Sequence, residues 1–206
     1  GVLGVCLACL AIGGGCAPVS VTFTFGADVG ELRESTVMTS GADGAKVALI
    51  HVRGTIAEYP KPGLVGRAPS VVDEALARLK QAETDGEIRA VVLRINSPGG
   101  TVTASDTLYR EIRRFREKTG KPVVASLAEV AASGGYYVAL SADEIVAQPT
   151  TITGSIGVLI PTINVSQGLS RIGVVSRSVV SGPNKDMANP LEPMERSHYA
   201  ILQGMV

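Results

Sequence analysis

Three glycine-rich junctions and one loop lysine are the segments of this sequence whose residue types could perform chemistry. The junctions lie at residues 96–101 (NSPGGT), 131–137 (AASGGYY) and 153–157 (TGSIG), and the lysine is Lys185, within SGPNKDM at 181–187. Paired glycines leave backbone N–H groups exposed, and such groups at the start of a helix stabilise a developing oxyanion. A serine among small residues is open to an acyl substrate, and a desolvated lysine can serve as its base. Together these segments predict an acyl-transfer site.

Other patterns for catalysis or metal binding are weak in this sequence. The two histidines, His51 and His198, lie in a predicted strand and a predicted helix, and neither has a serine and an acidic residue in a context that suggests a triad. We expect both to be structural. HExxH and EF-hand spacings do not occur, and no P-loop, GxGxxG or SxxK pattern is complete. We therefore expect neither a resident metal nor a cofactor.

The composition excludes several classes of protein. The chain has 206 residues, with 19 Lys and Arg against 19 Asp and Glu, so its formal net charge is zero. Charged residues make up 18% and apolar residues 45%, which suits a packed domain and excludes a disordered chain or a polybasic nucleic-acid binder. Because aromatic residues make up only 4%, the core must be built from Ala, Val, Leu and Ile.

Strands and helices alternate along the chain from residue 46. Apolar runs predict strands, the first of them buried on both faces, at 47–52, 88–96, 122–127, 144–147, 156–160 and 174–180. Helical spacing predicts helices that begin at Ser70 and Thr103, and further helices at 133–141, 167–172 and 190–206. This alternation predicts an α/β fold in which helices cover a parallel sheet.

The first two helices have the clearest signals. Ser70 and Thr103 are the expected N-caps, because a hydroxyl oxygen can accept a hydrogen bond from a free N–H of the first turn. In the second helix the apolar residues recur on one face, which we expect to be buried: Leu108, Ile112 and Phe115.

Composition divides the chain into three parts. Residues 1–27 begin with an apolar run that is too short to span a bilayer alone and matches a secretory signal or the end of a membrane anchor. The glycines before Cys16 resemble a lipoprotein cleavage site, so Cys16 is a candidate for lipid attachment. We interpret residues 28–45 as a linker and residues 46–206 as the folded domain, whose last helix we expect to continue beyond residue 206. All three cysteines lie in the first part, so the domain has no disulfide.

The four motif segments, in this order, resemble peptidase family S49, the signal peptide peptidase A type of serine protease. The resemblance extends over residues 47–190, most of the chain. It implies a ClpP/crotonase-like α/β fold, a parallel sheet with covering helices, and a Ser/Lys dyad in which Ser133 is the nucleophile and Lys185 the general base. It further implies a homo-oligomer with active sites facing an enclosed space.

The same resemblance implies supporting roles at the glycine-rich junctions. The Gly99–Gly100 pair, with Gly100 preferred, matches the family's oxyanion amide, and the second donor is the N–H of Gly134. Ser155 matches a family serine that orients the lysine amine. Each of these roles has a structural alternative, since a serine can cap a helix or lie in a turn, paired glycines can form a tight turn, and most lysines lie on the surface.

The resemblance implies an endopeptidase that cleaves peptides such as remnant signal peptides through an acyl-enzyme. It implies a place in the bacterial cell envelope, with the N-terminal segment in the membrane and the catalytic domain outside the cytoplasm. The expected partners are peptides, the membrane and further copies of the chain, and no nucleic acid. Two alternatives are a catalytically silent membrane scaffold and a crotonase-type acyl-CoA enzyme with Glu129 as acid–base. The export signal and Lys185 argue against the acyl-CoA enzyme.

Overall fold

A computed structural model describes residues 35–36, 45–62 and 67–206 of the chain. The segment 1–27, Cys16 and most of the linker 28–45 lie outside the described residues. The elements follow one another as β1 (Lys46–Arg53), β2 (Lys61–Pro62), β3 (Arg67–Ala68), α1 (Val71–Thr84), β4 (Ile88–Ser97), α2 (Val102–Thr119), β5 (Val123–Ala132), α3 (Gly134–Ala139), β6 (Glu144–Ala147), β7 (Ile152–Gly154), α4 (Ser166–Arg171) and α5 (Arg196–Gln203).

Five parallel strands form the main sheet, in the order β1-β4-β5-β6, with β7 pairing with β5 beyond the end of β6. The short strands β2 and β3 pair with each other in antiparallel fashion. The core lies between the sheet and the helices α1, α2 and α3, and its strand residues include Ile50, Leu93 and Ala125, which follow one another in register across the sheet. The predicted α/β fold with a parallel sheet and covering helices is therefore confirmed.

The prediction that β1 is buried on both faces is wrong. Ile50 and Val52 are buried, whereas His51 is exposed and Leu49 retains 38% of its exposure, so burial alternates along the strand. The reason is that α1, α2 and α3 pack against one another and against the same face of the sheet. Within the described chain, the opposite face has no helical layer.

The helix α1 begins where the sequence predicts. The Ser70 hydroxyl accepts a hydrogen bond from the backbone N–H of Asp73 at 3.0 Å, and the Asp73 carboxylate accepts one from the Ser70 N–H at 3.3 Å. This reciprocal pair is a capping box, which satisfies two N–H groups that have no partner inside the helix.

The helix α2 begins two residues before the predicted Thr103. Its N-cap is Thr101, whose hydroxyl accepts from the Ala104 N–H at 3.3 Å. Thr101 is held in extended conformation because its own N–H donates to the Ile56 carbonyl at 2.9 Å, a long-range contact that local sequence does not reveal. The predicted apolar face is confirmed, since its three residues are buried: Leu108, Ile112 and Phe115.

The last two predicted strands are absent from the described structure. Residues 156–160 and 174–180 have no strand assignment and are mostly exposed, and the strand nearest to the first of them is β7, at Ile152–Gly154. A strand needs a partner for its N–H and C=O groups. Every hydrogen bond described for residues 156–206 joins two residues of that same segment, so neither apolar run has a neighbouring strand within this chain. The helices α4 and α5 lie within a residue or two of 167–172 and inside 190–206 respectively.

Candidate active site

Ser133 lies at the junction between β5 and α3, in a backbone conformation that L-residues rarely adopt. Its φ is 51° and its ψ is −120°. Two backbone hydrogen bonds hold this conformation: the Ser133 N–H donates to the Gly154 carbonyl at 2.7 Å, and the Ser133 carbonyl accepts from the Tyr137 N–H at 2.9 Å. A sharp strand-to-helix turn of this kind presents the hydroxyl of its central residue outwards.

The simplest structural role for Ser133 does not fit its geometry. A helix-capping serine accepts a hydrogen bond from an N–H of the first turn, but the Ser133 side chain makes no capping bond to α3. The residue is half-buried, and its hydroxyl forms no hydrogen bond to any residue that the structure describes. The hydroxyl is therefore available for other chemistry.

The loop that follows β4 lies directly against Ser133. A Cβ placed on Gly99, whose φ is 101°, would be 2.7 Å from the Gly134 nitrogen and 3.0 Å from the Ser133 Cβ. A Cβ on Gly100 would be 1.9 Å from the Ile56 carbonyl oxygen. Neither position can carry a side chain without moving backbone atoms, so the paired glycines are required by close packing at this junction.

Two backbone N–H groups beside Ser133 have no hydrogen-bond partner among the described residues. The first belongs to Gly134, the first residue of α3, and the second to Gly100. The two are close together, since a Cβ on Gly134 would lie 3.3 Å from the Gly100 nitrogen. The Gly99 N–H, in contrast, donates to the Ser97 hydroxyl at 3.1 Å. Of the glycine pair singled out in the sequence, Gly100 thus has the free donor and Gly99 does not.

Two polar side chains that the sequence analysis did not assign support this loop. Ser97 is fully buried and accepts the Gly99 N–H, as described above. Asn96 accepts the Val130 N–H at 3.2 Å, at the irregularity where β5 has two more residues than β4. A serine or asparagine directly before Pro-Gly-Gly is a known type of turn-forming residue, and this was the signal available in the sequence.

Ser155 is placed next to Ser133 by strand pairing. In the register between β5 and β7, Ala132 is opposite Gly154, so the two serines are the next residues of adjacent parallel strands. Ser155 also has a positive φ, 51°, and is exposed. No hydrogen bond joins it to Ser133 in the described structure.

Lys185 is not brought to Ser133 within this chain. It is exposed, in a turn closed by a hydrogen bond from its N–H to the Gly182 carbonyl at 3.2 Å. Across the described residues, no hydrogen bond or ion pair involves its amine. The loop is instead contacted by His198, whose Nε2 lies 2.7 Å from the Pro183 carbonyl oxygen.

Polar contacts on the far side of α3 join it to α2. The Tyr137 hydroxyl donates to Asp106 at 3.0 Å, and its ring stacks on Tyr109 with centroids 4.7 Å apart. The hydrogen bond to Asp106 raises the pKa of Tyr137 above its ordinary value. The guanidinium of Arg110, and then the Tyr137 hydroxyl, hold the pKa of Asp106 below its ordinary value. This cluster anchors the helix that begins at Ser133.

The described residues contain neither a membrane-spanning helix nor a metal cluster. No helix among them is long and apolar enough to cross a bilayer. No group of three His, Cys, Asp or Glu side chains within the same residues is arranged to hold a metal ion. Glu129, the acid–base candidate of the acyl-CoA alternative, is exposed on β5.

Comparison with known proteins gives two overlapping family matches. A sequence model of Peptidase family S49 matches residues 115–206, which include Ser133, Ser155 and Lys185. A sequence model of Clp protease matches residues 67–156, which include most of the parallel sheet. Together with the observed topology, the second match identifies the fold as an α/β fold of the ClpP type.

Individual relatives point to the same family. Protease 4 of Salmonella typhi is 39% identical over 154 residues, which cover 74% of this chain and 24% of that protein. A candidate signal peptide peptidase SppA of Enterococcus faecium is 33% identical over 176 residues, which cover 85% of this chain and 51% of that protein. The chloroplastic serine protease SPPA of Arabidopsis thaliana is 33% identical over 162 residues, covering 77% and 23%. The chain thus spans about half or less of the length of these relatives.

Proposed function

This chain belongs to peptidase family S49, and from that premise we propose that it is a serine endopeptidase with a Ser133/Lys185 dyad. The observation that carries the proposal is the geometry of Ser133. Its hydroxyl is unbonded at a strained strand-to-helix turn, and two free backbone N–H groups, of Gly100 and Gly134, lie beside it. A nucleophile next to paired N–H donors is the arrangement that acyl transfer requires.

The proposed reaction uses these groups in turn. The neutral Lys185 amine takes the proton of Ser133 as its oxygen attacks the peptide carbonyl, and the N–H groups of Gly100 and Gly134 stabilise the oxyanion that forms. Collapse of this intermediate breaks the peptide C–N bond, and the lysine ammonium protonates the leaving amine. Water then attacks the acyl-enzyme by the same steps and releases Ser133. Ser155, on the strand next to Ser133, is placed to orient the lysine amine.

The proposed dyad requires that the Lys185 amine approach the Ser133 hydroxyl to about 2.6–3.2 Å. Within the described chain the segment 156–206 bonds only to itself and carries many exposed apolar side chains, among them Leu159 at 78% exposure and Val179 fully exposed. A surface of this kind favours burial against another protein surface. We therefore include in the proposal a homo-oligomer, in which this segment packs against further copies and the active sites are enclosed.

The substrates, location and anchoring belong to the proposal as well. The family premise and the name of the Enterococcus faecium relative favour peptides such as remnant signal peptides, and the residues around Ser133 are small or apolar. We place the protein in the bacterial cell envelope, with residues 1–27 as signal or anchor, Cys16 as a possible lipid attachment site, and the catalytic domain outside the cytoplasm.

The experiment that tests the proposal is covalent labelling with a serine-directed phosphonylating probe. The wild type should form one adduct, mapped to Ser133 by peptide mass. Ser133→Ala should form none, and Lys185→Met should label about 100- to 10,000-fold more slowly, because a general base contributes that factor. The rate should be followed from about pH 6 to pH 10, where a lysine base with a lowered pKa would titrate.

The outcomes separate the candidate functions. No adduct on a folded wild-type protein contradicts the protease and leaves the silent scaffold as the better description. An adduct whose rate is unaffected in Lys185→Met contradicts the dyad while leaving Ser133 as a nucleophile. Binding of coenzyme A, with loss of activity in Glu129→Gln, would identify the acyl-CoA enzyme instead.

A further inference from the structure

His198 is a buried side chain of α5 that reaches the loop carrying Lys185. Its ring is only 6% exposed, and it is the one buried residue that the structure describes in this helix. Its Nε2 lies 2.7 Å from the Pro183 carbonyl oxygen. Because a carbonyl oxygen can only accept, Nε2 carries the hydrogen and donates it.

The lysine loop, residues 181–189, is otherwise weakly held. Inside it, the Lys185 N–H donates to Gly182 and the Asn189 N–H donates to Asp186 at 3.0 Å. Two side-chain hydrogen bonds tie the loop to the described remainder of the chain: Asn189 to the Ser178 hydroxyl at 3.1 Å, at its far end, and His198 to Pro183. The His198 bond is the one near Lys185, with a single residue between Pro183 and the lysine.

We propose that His198 is a positioning residue for the Lys185 amine. The inference rests on the proposed function, because it assigns His198 to the same dyad. Consecutive Cα atoms are about 3.8 Å apart, so a displacement of the Pro183 carbonyl is passed to the Lys185 backbone through one intervening residue. A proton acceptor must be held within a few tenths of an ångström of hydrogen-bond distance, so a loosened loop lowers the rate of serine activation. The histidine acts through the lysine and touches no substrate.

The first arm of the test measures the loop without using activity. Sub-second hydrogen exchange of the 206-residue chain should show faster exchange over residues 182–187 in His198→Ala. His198→Gln, whose side-chain amide can donate to the same carbonyl, should restore the wild-type rate. Tyr199→Phe is the matched control, since it removes an α5 hydrogen bond that stays within the helix, from Tyr199 to Gln203.

The second arm measures the consequence for the dyad. The rate of Ser133 labelling should fall about tenfold in His198→Ala, the effect of one lost hydrogen bond, and should recover in His198→Gln. In a Lys185→Met background the His198→Ala change should cause no further loss, because the residue acts through the lysine. A purely structural role would lower the rate in both backgrounds.

Two results would overturn the inference. One is unchanged exchange over residues 182–187 in His198→Ala. The other is faster exchange with an unchanged labelling rate, or with an equal loss of rate in the Lys185→Met background. If the wild type fails to label at all, the proposed protease is contradicted and the positioning role falls with it, while the exchange arm still reports whether His198 holds the loop.

Discussion

The residues around Ser133 show how close packing and hydrogen bonding select particular side chains. A positive φ at a non-glycine residue costs about 1–3 kcal/mol and persists only where surrounding structure imposes it. Here the imposing groups are the Gly154 carbonyl and the first turn of α3. Glycine is required at 134 as well, because a Cβ there would lie 2.2 Å from the hydroxyl oxygen of Ser105 on α2. The strained serine is thus held between a strand and a helix, both in contact with its own turn.

Ser97 gives a prediction at this scale. Ser97→Ala removes the oxygen that accepts the buried Gly99 N–H, which costs about 1–3 kcal/mol of stability. We expect the Gly100 N–H beside it to lose its fixed direction, so kcat for a small peptide ester should fall about 10- to 100-fold. KM should change little, because the donor interacts most strongly with the oxyanion of the transition state. Steady-state kinetics and thermal unfolding of the variant would measure both effects.

The matched control is Ser141→Ala, another fully buried serine, whose hydroxyl donates to the Val138 carbonyl beyond the opposite end of α3. It should lower stability without lowering kcat. If Ser97→Ala and Ser141→Ala have the same kcat, the role of Ser97 in holding the loop is contradicted.

At the scale of elements, three helices on one face of the sheet bring the two glycine-rich junctions together. The loop after β4 and the turn after β5 meet because these strands are adjacent and parallel, so their carboxyl ends lie at the same edge. A two-residue irregularity in β5, held by Asn96, precedes the strained serine. Irregularities of this kind change the direction of the strand that contains them.

Asp143, just before β6, gives a prediction for the contact between α2 and the sheet. Its carboxylate accepts the Val123 N–H at 2.8 Å and pairs with Arg116. The backbone hydrogen bond first, and then the guanidinium, hold the pKa of Asp143 below its ordinary value. A lowered pKa in the folded state contributes stability above about pH 4 that is lost as the pH falls through that lowered value.

Asp143→Asn should therefore be less stable than the wild type at neutral pH, and the difference should shrink at about pH 3 and below. Asn keeps an oxygen for the Val123 N–H, so the change mainly removes the charge that faces Arg116. Urea unfolding midpoints at the two pH values would measure it. Glu144→Gln, at the neighbouring exposed carboxylate, should show no such pH-dependent difference. A constant difference at both pH values would contradict the assignment.

At the scale of the whole molecule, the distribution of apolar surface separates the chain into two parts. From β1 to α3 the apolar residues are mostly buried between sheet and helices, whereas from β6 onwards most of them are exposed. The uncovered face of the sheet and the segment 156–180 together present far more apolar side chains than a protein surface usually leaves in water. This is the surface that the proposed homo-oligomer would bury.

The oligomer can be tested with one exposed side chain and a matched control. We expect the wild type to scatter light as several copies of the chain. Leu159→Lys should dissociate it, because a charge at a buried apolar contact is unfavourable. Labelling of Ser133 should fall with it if the active site is completed in the assembly. Gln167→Lys adds the same charge at an exposed polar residue and should change neither property. A monomeric wild type that labels at full rate would contradict the oligomer.

Much of the fold could be predicted because the signals are local. The capping residues Ser70 and Asp73, the apolar face of α2 and the short runs of β1 and β6 depend on residues a few positions apart. The predictions at 156–160 and 174–180 were wrong because an apolar run forms a strand only where a partner is available. Thr101 rather than Thr103 caps α2 because its N–H is held by Ile56, far away in sequence.

The sequence by itself determined the family, the parallel α/β fold and the glycine-rich junctions, since motif order and apolar periodicity are read along the chain. Only the tertiary structure decided that Ser133 does not cap α3, that Gly100 and not Gly99 has a free N–H, and that His198 contacts the lysine loop. Each of these depends on which donors and acceptors meet across the fold. A hydrogen bond between residues distant in sequence leaves no periodic signal in it.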